Sequence, residues 1–172
     1  FVGIVEEADD EAMVGRRATA EINCACGRCE YCRRGLGRHC PHRTVIGIQG
    51  RDGAFAEHIA VPSSNLVPIP DEIDDMHAVF VEPLAAACEI LEQVPVLAEH
   101  ETLVIGDGKL GLLAAIVLHA TGCRLTVAGK HERKLALLKR EDIETCGPEQ
   151  IGDRRFDIVV EACGSPDAFA AA

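Results

Sequence analysis

Residues 26–40 read CGRCEYCRRGLGRHC, placing Cys26, Cys29, Cys32 and Cys40 in a Cys-x2-Cys-x2-Cys-x7-Cys spacing. Three roles compete for such a thiol cluster: disulfides, a metal cage or a reactive centre. The chain carries nine cysteines, and its opening FVGIVEEADDEA lacks the basic segment of a secretory signal. That combination suits a reducing, cytoplasmic compartment, where disulfides do not persist. A redox Cys-x-x-Cys would open a helix after a strand, whereas here the surroundings are Gly, Arg and polar turn residues. Four thiolates satisfy tetrahedral Zn²⁺ and leave no open coordination position, so the spacing predicts a structural zinc site. An all-thiolate cage carries a net charge of about −2. Arg28, Arg33, Arg34 and Arg38 lie between the ligands, either to offset that charge or as a solvated loop face. Cys24 precedes the first ligand by two residues and is a competing donor, while His39 and His42 read as bystanders.

Around this lobe, residues 1–70 consist of short strand-like segments broken by turns. FVGIVEEA, RRATAEI, TVIGI, AFAEHIAVP and NLVPIP are separated by Gly50-Arg51-Asp52-Gly53 and by prolines, which suggests a small β-barrel. From Asp71 to Val96 the spacing turns helical. Leu84, Ala87, Cys88, Leu91 and Val94 define an apolar face, Pro83 suits a first helical position and Pro95 ends the pattern. From Glu101 the chain alternates: strand TLVIG, helix KLGLLAAIVLHA, strand RLTVAG, helix HERKLALLKR and strand FDIVVEA. Such alternation means parallel strands with crossover helices. Cys88, Cys123 and Cys163 fall in or beside these patterns and read as buried small apolar residues.

The glycine run Gly106-x-Gly108-x-x-Gly111 directly follows strand TLVIG and opens a helix, the context a dinucleotide fingerprint requires. Gly106 serves the tight turn, Gly108 the approach of a pyrophosphate, and Gly111 the close packing of helix on sheet. Lys109 and Leu110 complete the loop, whose helix N-terminus offers free N–H groups to phosphates. A ligand-free glycine turn is the plainer alternative. At the end of the second strand, NAD-binding folds place Asp or Glu to hold the ribose 2′-hydroxyl. Gly129 stands there, followed by Lys130, His131 and Arg133. Lost repulsion and added cations lead to the expectation of NADP(H) over NAD(H); the alternative is a solvated helix start.

Composition narrows the partners. The net charge is −11, tryptophan is absent and aromatic residues make up 3%. A phosphate backbone would be repelled and base-stacking platforms are scarce, which argues against nucleic acid. No apolar run is long enough to span a bilayer, and no anionic membrane partner is expected. The chain starts without Met, inside an apparent strand, and stops inside an apparent helix. It therefore reads as a fragment lacking both ends.

Taken together, these motifs resemble the zinc-dependent medium-chain dehydrogenases/reductases, the alcohol, polyol, sugar and threonine dehydrogenase group. Cys26, Cys29, Cys32 and Cys40 resemble its structural-zinc lobe. Gly53-Ala54-Phe55-Ala56-Glu57 with Val61-Pro62 is similar to a barrel strand, Glu82-Pro83-Leu84 to the interdomain helix start, and residues 157–164 to its fourth Rossmann strand. The resemblance implies an α/β chain: a partial GroES-like β-barrel domain over 1–70 with the zinc lobe at 24–42, an interdomain helix segment over 71–97, and the first part of a Rossmann domain over 98–172. It implies a hydride-transferring oxidoreductase acting on a small-molecule alcohol (polyol, sugar or similar) or carbonyl with NAD(P). It also implies a second, catalytic zinc acting as a Lewis acid, with ligands upstream of Phe1 and Glu82 at or beside the metal. A carboxylate merely stabilised by a helix dipole is the plainer account of Glu82. The fragment alone is expected to be inactive, and the parent a homodimer or homotetramer. The competing classes are a zinc-ribbon interaction module and a family member without catalytic zinc.

Overall fold

The computed structural model describes residues 1–171. The chain divides into two compact units, Phe1–Glu82 and the residues from Pro83 onward.

The first unit contains β1 (Gly3–Ile4), β2 (Arg17–Ala20), β3 (Asn23–Cys24), helix α1 (Glu30–Arg33), β4 (Thr44–Val45), β5 (Leu66–Pro68) and helix α2 (Asp75–Ala78). β2 is the centre of an antiparallel sheet in the order β1-β2-β5, while β3 and β4 pair separately. Ala20, Cys24 and Ile46 are buried, with Phe1, Ile22, Ile59 and Val61 packed on them. The segment AFAEHIAVP, expected as a strand, joins no ladder, and Phe55 is fully exposed. Apolar-polar alternation alone does not make a strand. Pro62 has no N–H to donate, and Ala60 uses its carbonyl on the Arg51 guanidinium at 3.3 Å.

The helical stretch expected over 71–96 is broken. α2 ends at Ala78, and helix α3 runs Val81–Gln93. Pro83 explains the break: a proline inside a continuous helix would collide with the carbonyl of Val79, four residues earlier. Restarting at Val81 places Pro83 in a first turn, where its missing N–H costs nothing.

The second unit is a layered α/β structure. β6 (Glu101–Ile105), α4 (Lys109–His119), β7 (Arg124–Ala128), α5 (Glu132–Lys139), β8 (Glu144–Cys146), β9 (Ile158–Glu161) and α6 (Pro166–Ala171) follow in sequence. The four strands form one parallel sheet in the order β8-β7-β6-β9. The expected parallel βαβ arrangement is therefore present, with the short β8 added to it. On one side of the sheet Val104, Val127, Leu118, Leu125, Leu135 and Leu138 form a buried cluster. On another, Leu103, Ile105 and Ala128 pack with Ile151, Phe156 and Val159. The helix α4 is apolar almost all round because it is covered twice: Leu118 and Ala115 join the sheet cluster, while Ala114 and Val117 pack on Ala87 of α3. On α3 the packed face is Leu84, Ala87 and Ile90. Cys88, expected inside, lies exposed, because it falls off that 84-87-90 line. Cys163 is also exposed, and Cys123 is buried as expected.

The chain feeds β6, then β7 on one side, and later β9 on the other. The crevice outside the carboxyl ends of β6 and β9 is therefore a topological switch point, where open α/β sheets take their ligands.

Candidate functional site

The cysteine lobe hangs between β3 and β4. Their pairing, Asn23 opposite Val45 and Cys24 opposite Thr44, brings the loop's two ends together. Arg43 ties the base: its Nε donates to Asn23 Oδ1 at 3.2 Å and its Nη1 to the Cys40 carbonyl at 3.3 Å. Within the loop Cys29 caps α1, and Cys32 lies inside that short helix.

The four sulfurs of Cys26, Cys29, Cys32 and Cys40 converge, all within 4.8 Å of one another. Cys29 Sγ stands 3.5 Å from Cys32 and 3.7 Å from Cys40, and Cys26 Sγ stands 3.9 Å from Cys32. A tetrahedron with Zn–S of about 2.3 Å has edges of roughly 3.8 Å, close to the three separations just given, so the cluster suits zinc. They are far too long for disulfides. Electrostatics agree. Backbone N–H groups of Arg28 and Cys29 donate to Cys26 Sγ and lower that thiol to about 6. Burial and the neighbouring thiols push Cys32 up to about 11. The cluster thus resists full ionisation until a cation offsets it, which is how metal binding displaces protons.

Cys24 does not compete. It is buried in β3, donates toward the Ile22 carbonyl at 3.8 Å and accepts from Asn65 Nδ2 at 3.5 Å. Two of the arginines are engaged within the loop: Arg33 donates to the Arg28 carbonyl at 2.6 Å, and Arg34 pairs with Glu30 at 3.7 Å. The cysteine cage is the one grouping of three or more metal-ligating side chains among the described residues. Glu82 sits half-buried in the first turn of α3. His77 is exposed and occupied by Asp74, Nδ1 to Oδ1 at 2.7 Å.

In the second unit, a cavity of about 440 Å³ opens at the switch point. Gly106, Asp107, Gly108, Gly129, Lys130 and His131 line it, with Ala162 and Cys163 opposite. Lys109, Leu110 and Arg133 lie on exposed first turns of α4 and α5, outside this lining, and Gly111 is buried beneath it.

The loop's glycines have separate causes. Gly106 holds φ at 131°, in the left-handed region, and a Cβ there would stand 3.0 Å from the backbone of Ala162. A Cβ on Gly111 would run into the Gly106 carbonyl oxygen. At Gly108 the Cβ direction is open, so glycine there preserves free volume facing the cavity. Gly108 is also the N-cap of α4 and supplies no side-chain cap, leaving the first-turn N–H groups to meet an anion. The far wall is set by Glu161, which accepts from the N–H groups of Cys163 at 2.6 Å and Gly164 at 2.8 Å. Cys163 Sγ donates to the Ile105 carbonyl at 3.3 Å, and burial with the Glu161 carboxylate raises its thiol.

Asp107 is the functional group that pattern reading passes over, because its position is a wildcard in the glycine motif. Its side chain is 9% exposed. It accepts from the His131 backbone N–H at 2.5 Å and from His131 Nδ1 at 2.9 Å, with Lys134 Nζ at 3.6 Å. Burial opposes its charge, but donation from His131 and the charges of His131 and Lys134 outweigh it and hold the carboxyl below its usual value.

A barrel-type unit with a four-thiolate cage, joined in sequence to a parallel sheet with a glycine-loop cavity, defines a class of two-part dinucleotide-binding proteins. Residues 1–71 match the alcohol dehydrogenase GroES-like domain family. An L-threonine 3-dehydrogenase from Mesorhizobium japonicum is 32% identical to the chain, covering 98% of it and 53% of that enzyme. Among solved structures, a zinc-binding dehydrogenase from Sinorhizobium meliloti 1021, bound to NADP, superposes with a TM-score of 0.87 at 29% identity, over 98% of this chain and 54% of that one. An alcohol dehydrogenase from Thermus sp. ATN1 gives 0.89 at 27% identity, over 100% and 56%. These likenesses support a zinc-dependent medium-chain dehydrogenase/reductase, and the chain spans about half the length of the curated relatives it matches. No helix among the described residues is long and apolar enough to cross a membrane.

Proposed function

We propose that the protein works as a zinc-dependent oxidoreductase that interconverts an alcohol, such as a polyol or sugar, and a carbonyl with a nicotinamide cofactor. The observation that carries this reading is the cavity at the end of β6, where Gly106, Gly108 and the uncapped start of α4 face one another. When bound, the nicotinamide supplies the hydride chemistry and the zinc ions supply structural closure and Lewis acidity. The chain's own part is to bind and orient. The first-turn N–H groups of α4 take the pyrophosphate, and Gly108 leaves it room. Cys26, Cys29, Cys32 and Cys40 hold a structural zinc whose four thiolates leave no place for substrate. Glu82 contributes a carboxylate at or beside the catalytic metal. Residues 1–70 belong to the barrel domain and 98–172 to the nucleotide domain.

NADP(H) is favoured over NAD(H). Gly129 removes the strand-end carboxylate, and Lys130 and His131 bring basic side chains to the cavity rim, with Arg133 nearby in sequence. Calorimetric titration with NADP⁺ and NAD⁺, beside metal analysis, tests both parts. Tighter NADP⁺ binding and about one zinc per chain at the cage are expected. A chain that binds neither dinucleotide overturns the reading.

A further inference from the structure

Gly129 leaves the second strand without its usual acid, yet the corner it vacates is not empty of carboxylate. A Cβ built on Gly129 would lie 2.7 Å from Asp107 Cβ, 3.0 Å from Cγ and 2.8 Å from Oδ2. The Asp107 carboxylate therefore stands within the reach of an acid placed on residue 129, but it comes from the glycine loop instead. It lines the same cavity as Gly129, Lys130 and His131. We propose that Asp107 is a specificity-determining residue for the dinucleotide: its carboxylate accepts the adenosine ribose 2′-hydroxyl of the unphosphorylated cofactor and works against a 2′-phosphate.

The inference rests on the nucleotide-site reading above. Two features give it content. First, the carboxylate is buried at 9% exposure but borders the cavity, so a hydroxyl arriving there meets an acceptor already held in place by His131. Second, the surrounding charges are mixed. Lys134 stands 3.6 Å from Oδ1 and His131 Nδ1 stands 2.9 Å away, while Lys130 faces the same cavity. The corner thus balances one carboxylate, which favours the hydroxyl, against basic groups, which favour the phosphate. Asp107 keeps NAD(H) acceptable in a site whose cations favour NADP(H).

The test is isothermal titration of the chain and its variants with NAD⁺ and NADP⁺, repeated with AMP and 2′-phospho-AMP. Asp107→Asn keeps the shape and an acceptor but removes the charge. It is expected to shift the ratio of dissociation constants toward NADP⁺ by roughly tenfold or more, through weaker NAD⁺ binding, with the same shift for the two nucleotides. Lys134→Met, at a partly exposed side chain, is expected to move the ratio in the opposite sense. Parallel weakening of both dinucleotides by Asp107→Asn, or an unchanged ratio in both variants, overturns the proposal. The wild-type preference itself bears on the NADP(H) reading alone, so the two ideas fail separately. A wild-type chain binding neither dinucleotide overturns both.

Discussion

Asp107 and Gly129 interlock: the carboxylate of one fills the space into which any side chain of the other would grow, with 2.7 Å between Asp107 Cβ and the Cβ position of residue 129. Gly129 keeps an ordinary backbone φ, so the constraint is steric. Gly129→Ala is expected to destabilise the second unit by about 1–3 kcal/mol through overpacking. Shortening the other partner, in Gly129→Ala with Asp107→Gly, should recover much of that loss. A thermal-denaturation double-mutant cycle reads the coupling, and additive effects would show that the pair is independent.

The glycine loop predicts a split between fold and binding. Gly111→Ala places a methyl against the Gly106 carbonyl and should lower the melting temperature. Gly108→Ala meets no atom within 4 Å and should melt like the parent. Its added methyl faces the cavity, however, so dinucleotide affinity should fall roughly tenfold or more. Equal affinity of the Gly108→Ala protein and its parent would remove the pyrophosphate from this loop.

At the cysteine cage, Cys29→Ser replaces the sulfur that lies 3.5 Å from Cys32 and 3.7 Å from Cys40. Bound zinc, measured by mass spectrometry under native conditions, is expected to fall from about one per chain to near none. The first unit should lose thermal stability with it. Zinc retained at the parental level would refute the assignment. Cys24→Ser, by contrast, changes a buried side chain whose hydrogen bonds run to Ile22 and Asn65, outside the cage, and should leave zinc in place.

Acid should reveal the Arg154 junction between β7 and β8. Arg154 Nη1 lies 3.0 Å from Glu144 Oε1, its Nη2 donates to Thr126 Oγ1 at 2.9 Å, and that hydroxyl donates to Glu144 Oε2 at 2.9 Å. The bond from Arg154, then that from Thr126, hold the Glu144 carboxyl below its usual value. A depressed folded value means stability present in full above the ordinary glutamate value of about 4.3 and lost as pH falls through the lower folded value. The pair is partly exposed, so the loss is roughly 0.2–1 kcal/mol. Urea melts of Glu144→Gln between pH 3 and 6 should show a flatter acid limb than the parent. Identical limbs would show that the pair contributes nothing.

Much of the frame was legible because its signals are local. A strand followed by Gly106-x-Gly108-x-x-Gly111 and an apolar helix declares itself within one stretch, and so does a thiol spacing between residues 26 and 40. What escaped is what only the third dimension creates. Asp107 looks like filler until the ends of β6 and β7 lie side by side and bring it against residue 129. The segment AFAEHIAVP has strand-like alternation but no ladder, since pairing belongs to two segments at once. β8 is only three residues long and is held by β7, too short to leave a periodic trace. On α3 the apolar pattern offered two adjacent stripes, and only packing against α4 selected Ala87 over Cys88.

The cage and the sheet also differ in how far along the chain their partners lie. All four sulfurs come from residues 26 to 40, while β6 cannot complete its ladder until β9, residues 158–161, is available. Loop-closure entropy rises with the length of chain enclosed, and distant pairings form slowly. The lobe can therefore assemble on its own clock, ahead of the parallel sheet. Refolding in the presence of zinc, followed by timed alkylation of the thiols, should find the cage cysteines protected before Cys123 of the sheet core. Order of assembly along the chain would then follow from where the sulfurs were placed in it.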